Sequence, residues 1–178
     1  MNSRFHLLIL LIFLSACSGG VEKTNQDEDY FQFTKLELYP YDLPFSIMIP
    51  NASSGIGTAL KPEVHHQIGD FKWEIQAGRC FKIFVEDYGD YKYLIEEKKK
   101  NLLNNRVYEV EIKKETDNLL VYKRRIRDDY SSLNKFSFHI YASLCIDGIY
   151  YQLSNREEGN TEEEIEFMLK SINSIKSK

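Results

Sequence analysis

The segment 135–153 constrains this chain more than any other. Phe136, Phe138, Ile140, Ala142, Leu144 and Ile146 recur at every second position, so they share one face of a strand. Asp147-Gly148 follows at once. That pair suits a two-residue type I′ turn, whose central positions both need positive φ. Residues 149–153 then pair back, which commits this part of the chain to antiparallel sheet.

Neighbouring segments repeat the pattern. Tyr108, Val110 and Ile112 alternate with Glu109, Glu111 and Lys113 within 106–116. Asp117-Asn118 supplies turn chemistry, and 119–126 closes a second hairpin. Upstream, Gly78 turns the chain into 80–87, where Phe81, Ile83 and Val85 alternate with Cys80, Lys82, Phe84 and Glu86. The front is less regular. Residues 31–38 suggest a strand. Residues 39–44 form a turn, since Pro40 and Pro44 deny a ladder its donors. Residues 45–49 make a second strand ended by Pro50, and 51–63 a loop rich in Asn, Ser and Gly. Two further strands are expected at 64–68 and 71–76.

Two segments have helical spacing. In 91–103, Tyr91, Leu94, Ile95, Lys98 and Leu102 lie on one stripe, stopped by Asn104-Asn105. In 161–175, Thr161 and Glu164 match a capping box, and Glu162 to Glu164 favour the positive helix end. Ile165, Met168, Leu169, Ile172 and Ile175 form the apolar stripe, while Lys170, Lys176 and Lys178 load the far end. Such a helix must lie on a sheet. The expectation is an α+β fold with an antiparallel sheet flanked by helices, in a single domain over 30–178.

The N-terminus carries a different kind of signal. Arg4 precedes an apolar run from Leu7 to Leu14, and Ser15-Ala16-Cys17 follow. The run is far shorter than the roughly 20 residues that span a bilayer. Small residues before a Cys suit a signal-peptidase site, and Leu14-Ser15-Ala16-Cys17 resembles the lipobox of bacterial lipoproteins. The resemblance implies a signal peptide over 1–16, removed in the mature chain, and a lipid on Cys17. Two or three acyl chains anchor firmly, at about 0.8 kcal/mol per buried CH₂. It also implies a location in the bacterial cell envelope, with the membrane as partner through that lipid. Ser18 in place of an Asp directs the default sorting to the outer rather than the inner membrane. Residues 18–29 are polar and charged but for Val21, so 17–29 is expected to be a flexible tether with a reach of about 20 Å.

The body has a family resemblance of its own. The order strand, helix, long hairpin, Asp-Gly hairpin, terminal helix covers about 80–176. With the run from Phe138 through Asp147-Gly148 to Leu153, and the later Glu166-Phe167-Met168-Leu169-Lys170-Ser171-Ile172, it is similar to the PsbP-like fold. That likeness implies an α/β/α sandwich. The family includes extrinsic photosystem subunits and bacterial lipoproteins, and its known members mainly bind partners. Metal-linked His positions of the plant subunits have no counterpart here, so no site is carried over.

With 23 Lys and Arg against 27 Asp and Glu, the net charge is −4. That excludes the basic footprint of a nucleic-acid binder. Cys80 and Cys145 stand in a compartment that permits a disulfide. Two alternatives stay open, a bond between them or two free thiols used as packing. His65-His66 are adjacent in a strand and point to opposite faces, which disfavours a shared metal. Cys145 and His139 lie six apart on one strand, about 20 Å, beyond reach of a nucleophile and its base. The loop Ser53-Ser54-Gly55-Ile56-Gly57 lacks the Lys of a phosphate loop. Lys98 to Lys100 and Lys123 to Arg127 are basic, flanked by Glu96-Glu97 and Asp128-Asp129, and read as solvated faces with neighbouring ion pairs, the alternative being contact with an anionic membrane surface. Exposed tyrosines among Tyr39, Tyr41, Tyr88, Tyr91 and Tyr93 would suit a partner surface. No catalytic, metal or cofactor set emerges. The expectation is a non-catalytic module that binds an envelope protein. Its alternative is a small hydrolase or metal-binding enzyme with an unrecognised site, which a pocket joining His65 or His66 to carboxylates would favour.

Overall fold

The Asp147-Gly148 turn closes as expected, with φ of 52° and 83°. It joins β8 (Ser137–Ile146) to β9 (Ile149–Ser154), with Ile146 opposite Ile149 and Tyr141 opposite Ser154. The computed structural model describes residues 30–57, 61–67, 69–128 and 135–177. The leader 1–16, Cys17 and the tether 17–29 lie outside them, as does Ile68 at the end of one expected strand. Within them the fold is α+β, built mostly of antiparallel sheet.

The remaining elements are β1 (Phe33–Glu37), β2 (Phe45–Pro50), β3 (Glu63–His66), β4 (Lys72–Ala77), β5 (Phe81–Asp87), α1 (Leu94–Leu103), β6 (Tyr108–Thr116), β7 (Leu119–Ile126), α2 (Glu162–Asn173) and β10 (Lys176–Ser177). Seven strands make one sheet in the order β3-β4-β5-β9-β8-β7-β6. The pairing of β5 with β9, Val85 opposite Leu153, joins the two halves across α1 and both hairpins. A bulge between Ile112 and Lys114 shifts the β6–β7 register. The side chains of β6 beyond the bulge therefore change face. Glu115, rather than Lys114, comes to lie against α1, where it meets Lys99 at 2.6 Å.

Alternation in the strands makes one sheet face almost wholly apolar. Ile75, Phe81, Ile83, Val85, Ile140, Ala142 and Leu153 all point there. α2 covers it with Ile165 and Met168, and a small sheet β1-β2-β10 supplies Phe45, Ile47 and Ile49. Phe45 meets the Tyr151 ring edge-on at 5.9 Å. The turn at 39–44 winds as a 3-10 helix over Tyr39–Tyr41, with Asp42 at φ 63°. Trp73 Nε1 donates to the Tyr41 carbonyl at 2.6 Å and pins that turn to the sheet.

Two expectations need correction, and one open alternative is decided. The first helix begins at Leu94 rather than at residue 91, because Tyr91 N–H donates to the Tyr88 carbonyl in a separate turn. The terminal helix stops at Asn173, and Lys176 belongs to β10, opposite Ser46. Ser174 ends the helix, its hydroxyl accepting from Met48 N–H at 2.8 Å and donating to the Ser171 carbonyl at 2.5 Å. Cys80 and Cys145 are both free thiols. Cys145 sits opposite Tyr150, whereas Cys80 lies four residues before Phe84, which sits opposite Ser154. That places the two thiols roughly 25 Å apart along the sheet, far beyond disulfide reach. The capping box, by contrast, is present in both its bonds.

Candidate cleft and its aromatic lip

The opposite face of the sheet is only partly covered. α1 packs Leu94, Ile95 and Leu102 on Leu120, Tyr122 and Tyr141 of β7 and β8, with Val110 and Ile112 beside them. Tyr150 at the start of β9 also packs there, while no residue of β5 belongs to this cluster. Parity therefore sends Lys82, Phe84 and Glu86 of β5, and Gln152 and Ser154 of β9, onto an open floor. The floor and the side of α1 enclose a cleft of about 1020 Å³. Lys98 and Glu97 form its helical wall; Tyr122, Arg124, His139 and Tyr141 line its inner end.

Cations and rings converge at that inner end. The Lys98 ammonium stands 5.0 Å from the Tyr141 ring centroid and 6.0 Å from that of Tyr122. Burial pushes its pKa down, and the neighbouring Arg124 pushes it the same way. Arg124 lies over the Tyr108 ring at 4.3 Å and donates to the Glu157 carbonyl at 2.5 Å. Tyr141 donates from its hydroxyl to Gln152 Oε1 at 2.8 Å. Burial drives the Tyr122 phenol up to about 12.

His139 is the residue that sequence reasoning read only against Cys145. It is 3% exposed and stacks on Tyr122 at 5.1 Å. Burial, then Arg124 and Lys98, push its pKa down to about 3, so the imidazole is neutral at physiological pH. Its Nε2 lies 2.9 Å from Ser137 Oγ. The Ser–His contact does not make a nucleophile. Ser137 Oγ also donates to the Arg124 carbonyl at 3.3 Å, and Gly159 covers the pair. A Cβ on Gly159 would sit 2.5 Å from Ser137 Cβ, so the close approach requires glycine there.

Beneath the inner end runs a buried polar relay. Asn155 accepts from Ile140 N–H and donates to Asn160 Oδ1 at 2.8 Å. Asn160 donates in turn to the Cys80 carbonyl at 3.0 Å and to Glu164 Oε2 at 2.7 Å. Burial pushes the Glu164 carboxyl up, but bonds from Asn160, the Thr161 N–H and the Cys80 thiol outweigh it, and its pKa falls below the usual value. The Cys80 thiol is raised, first by its bond to Glu164 and then by burial.

The basic runs divide between faces. Lys98 enters the cleft, while Lys99 pairs with Glu115. Arg124 enters it too, whereas Lys123 and Arg125 turn away to Glu111 at 2.9 Å and Glu109 at 2.6 Å. His65 and His66 diverge. His65 meets Glu63 at 3.5 Å on the surface, and His66 stacks on Trp73 at 4.6 Å. No group of three metal-ligating side chains occurs among the described residues.

At the outer end the cleft meets an aromatic lip. Asp87 N–H donates to the Phe71 carbonyl, Tyr88 N–H to that of Tyr150, and Tyr150 N–H to that of Gly89. These bonds bring Phe71 (67% exposed), Tyr88 (40%) and Ile149 (38%) to one end of the sheet, where strand parity sets Tyr88 on the cleft face and Phe71 and Ile149 on the edge of the other. Tyr93 (52%) stands on the entry to α1, its ring 5.9 Å from that of Tyr91. The Cys145 thiol is exposed on β8, opposite Tyr150. No family model, curated protein or solved structure matches this chain.

Proposed function

We propose that this chain is a lipid-anchored bacterial envelope lipoprotein whose body, a PsbP-like α/β/α sandwich, is a non-catalytic module that binds another envelope protein. The anchor rests on Leu14-Ser15-Ala16-Cys17 and on the short apolar run before it. Outer-membrane sorting rests on Ser18. Helices on both faces of an antiparallel sheet, with the hairpin order described, support the PsbP-like reading.

The observation that carries the binding role is the aromatic lip. Phe71, Tyr88, Tyr93 and Ile149 hold apolar surface in water at one end of the body; Phe31, Leu103, Val107 and Ile126 are exposed elsewhere. Exposed aromatics at one end of a body suit a contact surface, because their rings bury large area at low entropic cost. The acidic balance disfavours nucleic acid as the partner.

The test has two arms on the full chain in its host membrane. Lipid labelling on Cys17 should vanish in Cys17→Ser, and unchanged detergent partitioning of that variant would end the anchor reading. A photo-crosslinking residue at position 93 should capture a defined envelope protein, and one at position 113 on β6 should not. The cross-link should be lost in Phe71→Asp. A cross-link that survives Phe71→Asp, or equal capture from both positions, overturns the lip as the contact surface.

A further inference from the structure

We propose that the inner end of the cleft binds the oxyanion group, carboxylate or phosphate, of a small soluble molecule, held between Lys98 and Arg124. This site is separate from the aromatic lip and does not depend on a protein partner.

The charge pattern is the first ground. Two cations from different elements, one on α1 and one on β7, face the same space. Among the described residues neither lies within ion-pair distance of a carboxylate. Two other cations around the cleft do: Lys82 meets Glu74 at 2.6 Å and Arg156 meets Glu164 at 3.7 Å, while Arg79, farther along the rim, has no ion pair among the described residues either. Arg124 donates to the Glu157 carbonyl and covers the Tyr108 ring; Lys98 stands over the Tyr122 and Tyr141 rings, and the Glu157 carboxylate attracts it only from beyond ion-pair distance. A half-buried ammonium beside a guanidinium is unfavourable unless an anion completes the group. The lowered pKa of Lys98 agrees with that cost.

The second ground is the remaining chemistry of the wall. Gln152 uses Oε1 to accept from Tyr141, which leaves its amide hydrogens for a ligand. His139 is neutral and so adds no competing charge. Phe84 and Leu94 give the ligand's body apolar contact. Of the carboxylates that line the cleft, Glu86 is engaged with Lys72 at 3.2 Å and with the Tyr88 hydroxyl, and Glu97 with the Tyr91 hydroxyl, while Glu157 and Glu158 stand on the rim without an ion pair to either cation. An oxyanion is thereby directed to the Lys98–Arg124 end. A concave space of this size with a few convergent polar groups is what small-molecule sites share.

The full chain in detergent is titrated calorimetrically with inorganic phosphate, phenyl phosphate and benzoate, and in a separate arm with phosphatidylglycerol vesicles. Saturable binding of at least one soluble anion is expected. It should weaken about tenfold or more in Lys98→Gln and in Arg124→Gln, as loss of a charged contact does. Lys113→Gln, on the surface of β6, should change it by less than about twofold. No saturable binding of a soluble anion below about 10 mM, a very weak affinity, overturns the proposal. So does binding indifferent to both cleft substitutions, or binding confined to the vesicles, which would assign the anion to a lipid headgroup. Should either variant fail to fold, the wild-type chain decides by nuclear magnetic resonance. Saturating phenyl phosphate should raise the Lys98 pKa, and an unmoved titration overturns the site.

Discussion

The two faces of the seven-stranded sheet obey the same alternation but meet different neighbours. On one, α2 and the small sheet seal an apolar layer that includes Phe45, Ile75, Phe81, Ile83 and Leu153, each with no exposed surface. On the other, α1 covers β7 and β8 and leaves the polar side chains of β5 and β9 open beside it. The first face concentrates the hydrophobic stabilisation of the fold. The second holds Lys98, Arg124 and the neutral His139. A sheet whose stability rests on one side is free to keep a strained, polar site on the other.

The largest effects should fall on the sealed face. Phe45→Ala should cost about 3–5 kcal/mol, because its fully buried ring is enclosed by both sheets and the cavity cannot collapse. Leu102→Ala, at the end of α1 against the second face, should stay near about 2 kcal/mol. Urea unfolding of both variants measures the difference, and equal costs would break the contrast. Next comes the relay at the sheet end. Asn160→Ala should cost about 2–3 kcal/mol by stranding the buried partners of its amide. Glu164, with its folded pKa depressed, contributes stability that is complete above its unfolded value of 4.5 and is lost as pH falls through the lower folded value. The Asn160 variant should therefore show a shallower acid limb below pH 4.5 in the same unfolding measurement.

On the open face, pH supplies the sharper probe. The folded pKa of His139 is lowered from 6.5 to about 3. A histidine buried neutral stabilises fully above its unfolded pKa, and that stability declines as pH falls toward the folded value. The wild type should lose about 2 kcal/mol from this residue between pH 6.5 and 4.5, while His139→Gln should lose less over the same range. A variant with the same slope as the wild type would show that His139 is solvated. The smallest expected change is at Lys98. Lys98→Met should leave stability unchanged or raise it by up to about 1 kcal/mol, since it removes a half-buried cation with no carboxylate partner. A clear loss in thermal unfolding would mean that the ammonium stabilises the fold rather than the ligand.

Much of the scaffold could be read from residue order because its signals are local. The β8–β9 hairpin needed only alternation and an Asp-Gly pair; α2 needed only its stripe and the Thr161–Glu164 box. The cleft could not be read in this way. Alternation showed that His139 and Tyr141 oppose Ile140 and Ala142, but not that α1 would bury them. The basic run at 123–127 resembled a solvated face, and half of it is one. Arg124 departs from its neighbours because strand parity turns it toward α1, where Lys98 also points.

Local periodicity, turn chemistry and capping thus set the elements and which side chains share a face, since each depends on residues within one or two turns of chain. The leader motif likewise belongs to the sequence alone. Tertiary structure decided what covered each face. The β5–β9 pairing spans more than sixty residues, the bulge at Ile112/Lys114 re-aims one hairpin, and the short β10 docks on β2. Contacts of that range depend on how whole layers pack, and packing alone determined that one face would close and the other would hold two cations beside a cleft.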